Sequence, residues 1–100
     1  MAQFQGRGGE LRCGRKTVGR VGAFQLQFIP GGQEPCYRVS GRLQRGFDKF
    51  HVRNGKRLQV RLLIKPSHWV WDDVPLRVTG ADFSAEITGE ERTERVNGHK

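Results

Sequence analysis

The chain has 100 residues, enough for one domain with one modest core, since a chain of this size buries roughly 65% of its unfolded surface. Its 35% hydrophobic content includes nine aromatics, which argues against disorder, and no apolar run approaches the ~18 residues that a membrane-spanning helix needs. Eighteen Lys and Arg oppose ten Asp and Glu for a net charge of +8, a balance that points towards polyanionic partners.

In chain order, residues 1–16 are rich in Gly and Arg with little apolar content and are expected to form a flexible basic arm, with one Arg7-Gly8-Gly9 triplet. From residue 17 the pattern acquires a period of two, the mark of half-buried strands. Phe24, Leu26 and Phe28 alternate with Gln25 and Gln27, and the Pro- and Gly-rich stretch 30–35 then breaks the chain. Tyr37, Val39 and Leu43 alternate with Arg38, Ser40 and Arg42, and Phe50 and Val52 with His51 and Arg53. Asn54-Gly55 tolerates positive φ at both residues and predicts a two-residue hairpin between Phe50–Arg53 and Lys56–Gln59. Leu58, Val60, Leu62 and Ile64 share one face of the next strand, which Lys65-Pro66 ends. Ser67–Val74 is open between a short helix capped by Ser67 and a strand with Trp69 and Trp71 on one face, and reads best as a loop or single turn. Leu76–Thr79 and Phe83–Thr88 alternate again around a Gly80-Ala81-Asp82 turn, and residues 89–100 form a charged tail.

Six short strands with turns every eight to twelve residues predict an all-β domain over residues 17–88, a small antiparallel barrel or sandwich of OB-like or SH3-like size. Gly19, Gly22 and Gly41 within the strand patterns fit the bulges and bends of such a fold. Met1–Arg7 has no apolar signal stretch, so a cytoplasmic setting is expected, with Cys13 and Cys36 reduced. Neither cysteine is spaced from His51, His68 or His99 as zinc ligands are, and no metal or other cofactor is expected.

Catalytic patterns are absent: there is no Gly-x-Ser-x-Gly elbow and no phosphate-cradling Gly-rich loop ending in Lys-Ser or Lys-Thr, and Asp72-Asp73 and Glu90-Glu91 do not converge as an acid–base pair must. A non-enzymatic protein is expected. Arg53-x-x-x-Arg57 followed by Asp82-x-Ser84 resembles the bipartite signature of the cyclic-di-GMP-binding PilZ domain. Ile87 stands where that signature closes on glycine, and too little chain follows Ser84 to complete that barrel, so the likeness is a chance one.

Charge is distributed unevenly. Residues 1–65 hold 14 basic and 3 acidic residues; residues 66–100 hold 4 and 7. Same-face residues on a strand lie about 6.6–6.8 Å apart, close to the spacing of phosphates along a nucleic acid. Arg38, Arg42, Arg53, Arg57 and Arg61 are therefore expected to line one sheet face, where the guanidinium fork suits phosphate. Arg45 and Lys49 flank Phe47, which is expected to stack on bases together with Trp69 or Trp71, while Phe24, Phe28, Tyr37 and Phe50 are expected in the core. The resulting expectation is single-stranded DNA or RNA binding, rather than duplex. The rival reading is a small β protein-interaction module, such as a phage or plasmid accessory, inhibitor or structural subunit, docking on an acidic protein. Pairing of edge strands into a homodimer suits either reading.

Overall fold

The computed structural model describes residues 3–96, in which nine strands and no helix form. The strands are β1 (Gln3–Arg7), β2 (Gly9–Cys13), β3 (Lys16–Ile29), β4 (Cys36–Leu43), β5 (Arg57–Ile64), β6 (Ser67–Pro75), β7 (Arg77–Thr79), β8 (Asp82–Thr88) and β9 (Arg92–Arg95). They join in one antiparallel sheet, ordered β7-β8-β4-β3-β2-β5-β6-β9 with β1 also paired to β3, and the sheet is not closed.

The expected flexible arm is instead part of this sheet. Gln3 pairs with Gln27 and Arg7 with Ala23, and beyond a kink at Gly8 the same register continues with Glu10 opposite Arg20. Few of these residues are apolar, but β3 offers a complete edge of backbone partners and Leu11 supplies a fully buried anchor. Gly9 allows β5 to approach: its φ is 146°, and a Cβ there would lie 2.2 Å from the carbonyl oxygen of Arg61.

Strand β3 is the spine. Its first residues, up to Arg20, pair with β2, and Val21–Ile29 pair with β4 on one edge. Register shifts fall beside Gly19 and at Gly22-Ala23, where bulges bend the strand. The sheet thereby divides into a first leaf, β1-β3-β4-β8-β7, and a second leaf, β3-β2-β5-β6-β9. Phe24, Leu26, Val39, Phe83 and Ile87 from the first share one buried cluster with Leu11, Leu58, Val60, Leu62 and Val74 from the second. Tyr37 on β4 meets Trp71 on β6 at 5.3 Å between ring centroids and Trp69 at 6.4 Å, tying the leaves together at one end of the core. Each fully buried Leu, Val or Phe contributes about 1.5–3 kcal/mol by leaving water.

Three expectations for local structure are corrected. Asn54-Gly55 is not a hairpin tip: Lys56 N donates to Arg53 O in a turn where only Gly55 has positive φ, and Asn54 Oδ1 accepts from Val78 N on β7. Phe50–Arg53 belongs to a loop over residues 44–56, because Asp48 draws the chain into a turn that a strand cannot follow. Ser67–Val74 is strand β6, with Val60 opposite Trp71 and Leu62 opposite Trp69. The Asp72-Asp73 pair that disrupts its apolar pattern marks a register shift, with Asp73 at φ 57°. The expected tail likewise includes β9, while residues 97–100 lie outside the described residues. The turn at 30–35 and the Gly80-Ala81 hairpin between β7 and β8 form where the sequence predicts them.

Candidate functional site

Of the five arginines expected together on one sheet face, four lie on two strands that are not neighbours and the fifth lies in a loop. Arg38 and Arg42 project from β4 on the first leaf, and Arg57 and Arg61 from β5 on the second, with β3 and β2 between them. Arg53 lies in the 44–56 loop. Alternation places residues on a face within a strand, but it does not say which strands become neighbours.

The outer face of the second leaf is a closed ionic network. Arg61, only 8% exposed, donates to Glu94 on β9 at 2.5 Å and to Gln59 at 3.2 Å. Gln59 donates to Asp72, which also takes Arg92. On β2, Glu10 accepts from Arg12 and Thr17 and faces Arg20. Burial works to raise the Glu10 carboxyl, but the bonds from Arg12 and Thr17 and the charges of Arg12 and Arg20 outweigh it and hold it below its ordinary value. The hydrogen bond from Arg61 likewise holds Glu94 low. Arg57 pairs with Asp73 at 3.5 Å. Arg61 is thus buried in the network, whereas Arg57 is exposed and pairs with the exposed Asp73 at the surface.

The outer face of the first leaf differs. Arg38 pairs with Glu86 at 3.0 Å, but Gln5, Gln25, Ser40, Ser84, Arg77 and Arg42 make no side-chain hydrogen bond or ion pair with the described residues.

The 44–56 loop holds the sharpest constellation. Asp48 pins it: its backbone N donates to Val18 O, its carboxylate accepts from Phe50 N at 2.9 Å and contacts His51 Nδ1 at 2.8 Å. Hydrogen bonding to His51 is the main cause that holds the Asp48 carboxyl below its ordinary value. Val52 is buried, and Phe47 packs against the core. Between these two anchors Phe50 is turned outward and 70% exposed, with the Arg53 guanidinium 5.5 Å from its ring centroid. Arg45, Lys49 and Arg53 are exposed and make no ion pair with the described residues.

Phe47 and Phe50 therefore exchange the positions expected of them: Phe47 is packed against the core and Phe50 is exposed. The readable sign was Asp48: an Asp accepting from the backbone two and three residues ahead starts a turn, which ends the period of two that placed Phe50 in the core. Trp71 is 4% exposed, within the core, and Trp69 packs against it. Neither indole joins the loop constellation, because both serve the contact between the leaves. Phe28, at 39% exposed, is less buried than its place in the pattern predicts.

No protein-family model, curated protein or solved structure matches the chain. Among the described residues, no three His, Cys, Asp or Glu side chains are grouped to hold a metal ion, and Cys13 and Cys36 are free thiols.

Proposed function

We propose that this protein binds single-stranded nucleic acid, non-enzymatically, through the 44–56 loop. The observation that carries the reading is Phe50: a phenyl ring held outward by a pinned loop and bearing one guanidinium, with Arg45 and Lys49 on the same loop exposed and without ion pairs among the described residues. An exposed ring beside a basic surface is what base stacking uses, and it suits unpaired bases better than a closed duplex. Arg53, Lys49 and Arg45 contact phosphates, and Phe50 takes the stacking role first expected of Phe47. The bent, open sheet is read as a half-open barrel or sandwich, a size class that such binders share; that likeness is of architecture alone.

Fluorescence anisotropy with labelled single-stranded and duplex oligonucleotides over a salt series tests this. With three phosphates neutralised, log affinity falls with log salt at a slope of about −2, since each phosphate on a single strand contributes about −0.7. Equal affinity for duplex, or binding that vanishes near physiological salt, contradicts it.

The interaction-module reading retains one observation in its favour. Among the described strands β1 pairs only with β3, and Phe4 on it is partly exposed, so its other edge is open to strand addition by a partner or a second copy. Light scattering that gives a dimer mass, abolished by Gln5→Pro, supports that reading.

A further inference from the structure

Five side chains cross the outer face of the first leaf in one row. Gln5 on β1 is opposite Gln25 on β3, Gln25 opposite Ser40 on β4, Ser40 opposite Ser84 on β8, and Ser84 opposite Arg77 on β7. They floor a shallow concavity of about 870 Å³. None has a side-chain partner among the described residues, whereas the second leaf's outer face spends its polar groups on one another. Charge is available beside the row: Arg7 and Arg42 lie next to it without ion pairs among the described residues, and Arg77 ends it. Asp82, opposite Arg42, is the one carboxylate in the concavity; it repels phosphate but accepts from exocyclic amino groups of bases.

The concavity continues towards the loop. A second hollow, of about 960 Å³, shares Arg77, Thr79 and Ser84 with the first, is bordered by Asn54 and Gly55, and adds a second carboxylate, Glu86, which Arg38 pairs at 3.0 Å. Arg53, which covers Phe50, directly precedes Asn54.

We infer that this trough is the continuation of the nucleic-acid site, in which the amides and hydroxyls of Gln5, Gln25, Ser40 and Ser84 hydrogen-bond base edges of the strand that stacks on Phe50. This rests on the single-strand reading of the loop. Five strands about 4.8 Å apart span about 19 Å, room for roughly three extended nucleotides. With the base on Phe50 the site holds about four, the lower end of the range for small single-strand-binding folds. The trough supplies base dependence; the loop supplies charge and stacking.

The test is anisotropy with labelled oligonucleotides of two to eight nucleotides and with homopolymer hexamers, using wild-type protein, Gln25→Ala/Ser40→Ala and Phe50→Ala. In the wild type, affinity rises with length to four or five nucleotides and then levels, and it differs among homopolymers. In the double variant the gain beyond two nucleotides and the homopolymer differences disappear, and hexamer affinity falls roughly tenfold. Circular dichroism melting verifies that the variant is folded, and Ser84→Ala provides an independent single substitution with the same direction of effect. If double and single variants bind hexamers like wild type while Phe50→Ala weakens them, the trough is overturned and the loop reading stands. If wild-type protein binds no oligonucleotide, both fall.

Discussion

The guanidinium of Arg53 lies 5.5 Å from the centroid of the Phe50 ring, on a loop whose two neighbouring anchors, Phe47 and Val52, point into the core. A ring 70% exposed gains little from the hydrophobic effect in the free protein. On the proposed reading its contribution is made in a complex, where a base covers its open face.

Phe50→Ala therefore separates binding from folding. Single-stranded oligonucleotide binding weakens by about 1–3 kcal/mol, the range for loss of one base–aromatic stack. Thermal stability stays within about 0.5 kcal/mol of wild type, as for surface substitutions generally. Anisotropy and calorimetry check the two halves.

Arg53 and Arg61 give opposite outcomes although both belong to the basic set that the sequence singles out. Arg53→Ala lowers affinity and reduces the salt slope by about 0.7, one phosphate's share. Arg61→Ala leaves the slope unchanged but destabilises by about 1–2 kcal/mol, because its stem is packed in the second leaf and its head holds Glu94 and Gln59. Chemical denaturation of the two variants distinguishes them.

That contrast marks how far the sequence can be read. Period-two alternation located β4, β5 and β8, and turn chemistry located the breaks at residues 30–35 and 80–81, since these are local properties. What alternation could not give was adjacency. Arg38, Arg42, Arg57 and Arg61 were each placed on a polar face, but the interposition of β2 and β3 depends on the N-terminal segment, whose strands form by pairing with β3 and not by their own apolar pattern. Alternation puts Phe50 in the core and the structure turns it outward, because one residue, Asp48, overrides the period that follows it. Trp69 and Trp71 were ambiguous for a third reason: the extra residue at Asp72-Asp73 breaks the period of a strand that β5 nevertheless pairs.

Gly41 tests the packing of the first leaf. A Cβ there would lie 2.8 Å from Phe83 Cε1, 2.9 Å from Ala23 O and 3.0 Å from Phe24 Cβ, two buried rings and a backbone atom that cannot all yield. Gly41→Ala is expected to destabilise by about 1–3 kcal/mol through overpacking. Gly46→Ala is the companion for the loop: nothing lies within 4 Å of a Cβ there, so its cost is only that of a φ of 85° for alanine. Urea melts rank the two against wild type.

Tyr37, the sole tyrosine, reports on the contact between leaves by its own absorbance. Burial, aided by the hydrogen bond it donates to Glu91 at 2.7 Å, pushes its phenol up to about 12. A folded value above the ordinary 10.0 means that the protonated ring contributes stability in full below pH 10 and loses it as pH rises through about 12. Spectrophotometric titration at the phenolate band should show ionisation near pH 12 in the native protein and near 10 in denaturant, with Glu91→Gln lowering the native value.

The most direct test of the binding surface is a nitrogen–proton correlation spectrum recorded while a single-stranded hexamer is titrated into labelled protein. The largest shifts are expected at the backbone amides of residues 45–55, with the outer face of β2, β5, β6 and β9 unmoved. Shifts centred instead on Arg57, Arg61 and Arg92, with the loop silent, would contradict a nucleic-acid site built on Phe50.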